Sequence, residues 1–172
     1  AVCIPVYNIG GALNRNATSR ANQDGPESYG FRGNARNYDL NRDFIKSDTR
    51  NTKSFTEIFH KINPDIFIDN HVSNGADYQY KLTYIMTQHN KLGAVLGDFL
   101  NTEMMPALVK DLQKKNIETT PYVNAFQDTP DKGFGQFFES PRYATGYTSL
   151  FNTIGFVVET HMLKKYADRV KV

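Results

Sequence analysis

Ile66-Phe67-Ile68-Asp69-Asn70-His71 reads as a buried strand whose end turns polar. The apolar run suits a strand covered on both faces, and Asn63-Pro64 closes the element before it. Phe156-Val157-Val158-Glu159 repeats the pattern near the C-terminus, an apolar run closing on a carboxylate. Residues 1–7 read as a third strand of this kind, ended by Asn8 and Gly10-Gly11. Residues 82–86 and 122–126 read as further strands. Helical spacing lies between them. Phe55, Ile58, Phe59 and Ile62 share one face, with Asn51, Thr52 or Ser54 as the cap. Leu92, Val95, Leu96, Phe99 and Leu100 form a second helical set, and Pro106 suits the first turn of another carrying Leu108, Val109 and Leu112. A helical turn is expected over residues 147–153 and a helix from residue 163. Apolar strands alternating with amphipathic helices predict an α/β domain with a mixed, mostly buried sheet and helices on both faces. Ligands in such domains bind beyond the carboxyl ends of the strands, where Asn8, Asp69-Asn70-His71 and Glu159-Thr160-His161 fall.

The 172 residues suffice for one domain with a real core and are too few for two comfortable ones. A net charge of +2 without a basic stripe argues against nucleic acid as a partner. Cys3 is the single cysteine, which rules out an internal disulfide and a cysteine metal site. No apolar run reaches the roughly 20 residues a membrane span requires. The start on Ala1-Val2-Cys3 reads as a cut or processed end of a longer chain. We expect an exported protein, periplasmic or extracellular, with any targeting segment upstream.

Residues 13–37 carry no clear period, and a loop of that length in a compact domain is often functional. It leads into Asp39-Leu40-Asn41-Arg42-Asp43, where an arginine fork beside an amide suits bidentate capture of a carboxylate. The plainer reading of that loop is a structural Asp–Arg ion pair. His71 is a metal ligand, a general base or a satisfied histidine at a strand end. Glu159, inside an apolar strand, is costly unless paired or functional. His161 shares a face with Glu159 if the strand continues. His60 and His89 read as structural. Asn16-Ala17-Thr18 matches a glycosylation sequon, a pattern that often arises by chance.

Taken together, these segments resemble the zinc metallocarboxypeptidase family. Arg32-Gly33-Asn34, followed by Asp39-Leu40-Asn41-Arg42-Asp43-Phe44, is similar to the family's Arg-x-Asn and Asp-Leu-Asn-Arg-(Asn/Asp)-Phe signature. Ile4-Pro5-Val6-Tyr7-Asn8 resembles the strand before the family's Asn-Pro-Asp-Gly turn, replaced here by Asn8-Ile9-Gly10-Gly11. His71 stands at the position of the downstream zinc-binding histidine. Gly155 to Glu159 looks like the strand bearing the catalytic glutamate, and Tyr143-Ala144-Thr145-Gly146 like the loop of the substrate-contacting tyrosine.

The resemblance implies a carboxypeptidase-like fold over residues 1–172, incomplete at the N-terminus, that hydrolyses the C-terminal peptide bond with zinc. It implies Glu159 as general base and Arg32 as oxyanion donor, with Arg20 or Arg36 as alternatives. Asn41 and Arg42 would clasp the terminal carboxylate, and Tyr143, or Tyr147 in its place, would cover the substrate. His71 would be a zinc ligand. The family's first two ligands come from an upstream His-x-x-Glu, and this sequence contains none. We therefore expect a catalytic-domain fragment that is inactive alone and binds zinc weakly. The expected partner is a peptide or an N-acyl amino acid. Two other readings fit: a zinc amidohydrolase of the desuccinylase and aspartoacylase type, and a non-catalytic carboxypeptidase-like binding module.

Overall fold

The computed structural model describes residues 1–20, 23–73, 77–125 and 129–172. Its sheet is built on strand β6 (Ile154–Thr160), which pairs in parallel with β1 (Ile66–Val72) and antiparallel with β2 (Leu82–Met86). Strand β3 (Thr119–Pro121) joins β2 in parallel, so the order is β1-β6-β2-β3 and the sheet is mixed. Strands β4 (Val123–Ala125) and β5 (Phe134–Gln136) make a separate antiparallel ribbon.

Helices cover both faces, because successive side chains of β6 point to opposite sides. Val157 packs against Phe55 and Phe59 of helix α2 (Arg50–Ile62) and against Ala144 and Tyr147 of α5 (Ala144–Thr148). Ile154 and Phe156 face the other way, toward Leu92, Leu100 and Met105. Those three lie on one helical run: a 3-10 turn at His89–Leu92, α3 (Gly93–Asp98), a π-helical stretch at Phe99–Met104, and α4 (Met105–Lys114) with Pro106 in its first turn. A short helix, α1 (Ile9–Leu13), precedes the long loop, and α6 (Tyr166–Lys171) ends the chain. Among the described residues, no helix is long and apolar enough to cross a membrane.

Several local expectations are corrected. Residues 1–7 form no strand, and Val2, Ile4 and Val6 are exposed. Pro5 has no N–H for a ladder, and Tyr7 is anchored to α2 through its hydroxyl at Thr52 Oγ1 (2.9 Å) and its carbonyl, which accepts from Asn51 Nδ2 (2.9 Å). Strand β1 is covered on one face alone. Phe67 packs on Phe55 and Phe59, whereas Ile66 and Ile68 are 47% and 56% exposed, as an edge strand permits. The stretch at 122–126 contributes only β4 among its described residues, and Phe126 lies outside them.

The cap of α2 is Thr49, not Asn51, Thr52 or Ser54. Its Oγ1 accepts from Thr52 N (3.1 Å) and donates to the buried carboxylate of Asp43 (2.8 Å). That carboxylate also accepts from the backbone N–H groups of Asp48 and Thr49, each at 3.0 Å. Burial opposes its charge, but hydrogen bonds from Thr52, Thr49 and the backbone hold its pKa below the usual carboxylate range. Asp43→Ala strands buried donors and loosens the cap, so it is expected to cost about 2–4 kcal/mol in urea unfolding. A loss under about 1 kcal/mol would contradict this account of the turn.

Candidate active site

The parallel register sets His71 of β1 beside Glu159 of β6. His71 Nδ1 lies 3.9 Å from Glu159 Oε1, and His71 Nε2 lies 2.8 Å from Asp69 Oδ2. Asp69 is two residues before His71 and shares its face of the strand. Glu159 Oε2 is buried and has no hydrogen-bond partner among the described residues. Burial raises the Glu159 pKa from 4.5 to about 7, with Asp69 and Glu139 adding to the rise and His71 and Arg20 opposing it. His71 is also raised: burial opposes its charge, but the hydrogen bond and charge of Asp69, followed by Glu159 and Glu139, outweigh it.

The arginine motif lines the same cavity. Leu40–Arg42 is a 3-10 turn capped by Asp39, whose Oδ1 accepts from Asn41 N (3.0 Å). Asp39 Oδ2 accepts from Arg32 Nε (3.0 Å) and Nη2 (2.9 Å). The plain Asp–Arg pair is therefore present, and it ties Arg32 to the clamp rather than consuming Arg42. Arg42 donates to its neighbour Asn41 O (3.0 Å) and lies 4.6 Å from the centroid of the Tyr143 ring. It has no carboxylate partner among the described residues. The Tyr143 ring is itself held edge-on by Phe137 at 4.9 Å.

Asn8 fixes the segment that carries Arg32. Its Oδ1 accepts from Gly11 N (2.9 Å), while Nδ2 donates to Arg32 O (3.0 Å) and Gly33 O (3.3 Å). Gly11 must be glycine here, because a Cβ would stand 2.2 Å from Phe31 O. The Asn8-to-Gly11 turn thus serves as a clip for the substrate-side loop.

Arg32, Asn41, Arg42, His71, Tyr143 and Glu159 all line one cavity of about 700 Å³. Arg36 and Tyr147 do not line it. Tyr147 is buried in the core, its hydroxyl 3.2 Å from His60 Nε2. His161 is also buried elsewhere: the strand ends at Thr160, Nε2 lies 3.0 Å from Asp77, and Nδ1 accepts from Leu163 N.

One polar lining residue, Glu139, was not singled out from the sequence. Glu139 is buried, accepts at Oε2 from Thr145 N (3.0 Å), and so anchors the start of the helix that follows Tyr143. Burial raises its pKa against the lowering by Thr145. Its signal in sequence is faint, a carboxylate six residues ahead of the N–H it serves. Arg20 also faces the cavity, although it came forward only as a substitute for Arg32.

Among the described residues, no group of three or more histidine, cysteine, aspartate or glutamate side chains is placed to hold a metal ion. His71 supplies one imidazole whose Nε2 is already engaged by Asp69. This donor set does not fit a zinc ion with three protein ligands.

The fold is similar to the crystal structure of a metallo-carboxypeptidase from Burkholderia cenocepacia, with a TM-score of 0.55 at 14% sequence identity over 80% of this chain. The chain spans about a third (34%) of that protein's length. No family model matches the sequence, and no curated protein matches it.

Proposed function

We propose that the cavity receives the C-terminal carboxylate of a peptide, and that the chain carries the substrate clamp and the base of a carboxypeptidase-type hydrolase. The observation that carries this reading is one cavity holding both an arginine–amide pair without a carboxylate partner and a buried carboxyl with an unsatisfied oxygen, each among the described residues. Asn41 and Arg42 take the terminal carboxylate, with the Arg42 fork supplying parallel N–H donors. Tyr143 covers the bound residue. Glu159, with a pKa near neutrality, accepts a proton from the attacking water and returns it to the leaving amine. Arg32, oriented by Asp39, faces the developing oxyanion. No step is assigned to zinc, because these residues alone do not form its site.

Titration calorimetry with a short peptide bearing a free C-terminus, and with its C-terminal amide, tests the clamp. The free acid is expected to bind at least about tenfold more tightly. Equal affinities would overturn the proposal. An N-acyl amino acid in a third titration addresses the amidohydrolase reading, since it presents the same carboxylate without a peptide.

Equilibrium dialysis of this chain against zinc is expected to show no stoichiometric retention, and His71→Ala is expected to change little, because one imidazole binds weakly. Stoichiometric retention that disappears in His71→Ala would show that the centre is more complete than the described residues indicate.

A further inference from the structure

Four arginines line the cavity, and their pairing separates them. Arg32 is held by Asp39. Arg15 is satisfied by the Ser28 hydroxyl and carbonyl. Arg42 and Arg20 have no ion pair among the described residues. Arg42 is already placed at the terminal carboxylate, which leaves Arg20 without a use.

Arg20 is not a loose surface side chain. The loop carrying it is stitched by paired backbone hydrogen bonds between Asn16 and Tyr29, at 3.0 and 3.1 Å. Asn16 Oδ1 accepts from Thr18 N (2.9 Å) and Ser19 N (2.6 Å), and the Tyr29 hydroxyl donates to Arg20 O (2.5 Å). The backbone at Arg20 is therefore held on both sides while its guanidinium, half-buried, is left to the cavity. Burial lowers its pKa and nearby Arg32 adds to that, with Glu159 and Asp39 only partly offsetting them. Arginine stays charged at any working pH. A half-buried cation kept near a second cation, with no ion pair among the described residues, is unfavourable until an anion arrives.

We infer that Arg20 binds a second carboxylate on the substrate, so that the cavity selects a dicarboxylic ligand. This rests on the reading of Arg42 as the clamp for the terminal carboxylate. The second carboxylate comes from one of two places: the side chain of a C-terminal acidic residue, or a dicarboxylic acyl group such as succinyl. The shared chemistry is two anionic ends on one ligand, met by two separate guanidinium groups.

The test is a set of paired titrations on the whole chain. N-acetyl-Ala-Ala-Glu is compared with N-acetyl-Ala-Ala-Gln, and N-succinyl-alanine with its succinamide, which removes only the distal charge. One pair is expected to show a preference of about five- to tenfold for the charged member, reduced at high salt. In Arg20→Gln that ratio is expected to fall to about one, and Arg20→Lys is expected to recover part of it. A preference in the glutamate pair puts the second carboxylate on the C-terminal residue, and one in the succinyl pair puts it on the acyl side; either supports the inference. No preference in either pair, with the free-acid peptide still binding better than its amide, overturns the inference and leaves the proposed clamp standing. An equal loss for both members of a pair in Arg20→Gln also overturns it, because Arg20 then acts on a group they share. Equal binding of acid and amide removes the clamp itself.

Discussion

At pH 8 the metal-free Glu159→Gln variant is expected to be more stable than the unsubstituted chain, by up to about 3 kcal/mol. The native carboxyl titrates near 7 because it is buried, whereas the unfolded one titrates near 4.5. At about 1.36 kcal/mol per pH unit, that difference sets the ceiling. The sign follows from proton counting. Between pH 4.5 and 7 the unfolded chain has released this proton and the native chain has kept it, so stability falls as pH rises through that window. Above 7 both forms are ionised, and the full cost of the buried charge remains. His71 slopes the same way. Its raised native pKa stabilises the fold at low pH, and that contribution is lost as pH climbs through it.

Thermal unfolding from pH 4.5 to 8 should therefore show a falling midpoint for the unsubstituted chain. The Gln variant should give a shallower curve, with the remaining slope reporting on His71 and Glu139, whose native pKa values are also raised. A variant less stable than its parent at pH 8 would mean that the Glu159 carboxylate is satisfied in the native state, and the case for it as a base would fail. In a protein that turns substrate over, the same substitution is expected to cost about 10²- to 10⁴-fold in rate. Stability gained where activity is lost is the expected signature of a functional buried carboxylate.

Arg42→Ala is expected to weaken binding of the free-acid peptide by about 10- to 100-fold and to leave the amide peptide almost unaffected. Charge-assisted hydrogen bonds worth about 1.5–3 kcal/mol correspond to that range. The fold should tolerate the change, because among the described residues the Arg42 side chain is engaged by a neighbouring carbonyl and the ring of Tyr143 alone. Unfolding curves provide that control. Arg42→Lys keeps the charge and loses the planar fork, so it should recover only part of the affinity. If Ala, Lys and Arg at this position bind the acid equally well, the terminal carboxylate goes elsewhere in the cavity.

Much of the α/β architecture could be read from apolar periodicity. Strands β1, β2 and β6 and helix α2 were legible because each carries its own local pattern. The misreadings have physical causes. Ala1 to Tyr7 has the composition of a buried strand, but a strand exists only where a neighbour accepts its hydrogen bonds, and no periodicity reports that. Ile66 and Ile68 looked buried for the same reason: whether an apolar residue is covered depends on what lies opposite. The capping choice at α2 fell to Thr49 because Asp43, six residues upstream, holds it in place.

The sequence by itself determined the candidate groups and their kinds: an arginine–amide pair at Asn41 and Arg42, a histidine and a glutamate each at the end of an apolar strand, and a tyrosine in a glycine-rich loop. Their order along the chain carried the resemblance. Tertiary structure alone decided which of them meet. The parallel register of β1 and β6 brings together His71 and Glu159, 88 residues apart. Asp39 pairs with Arg32 and orients it, which leaves Arg42 without a carboxylate partner among the described residues. The bridge between Asn16 and Tyr29 turns Arg20 from one arginine among several into a cation that lines the cavity with no ion pair among the described residues. Pairing and burial are relations between distant segments, so a reading of residue types in order could name the groups but not their partners.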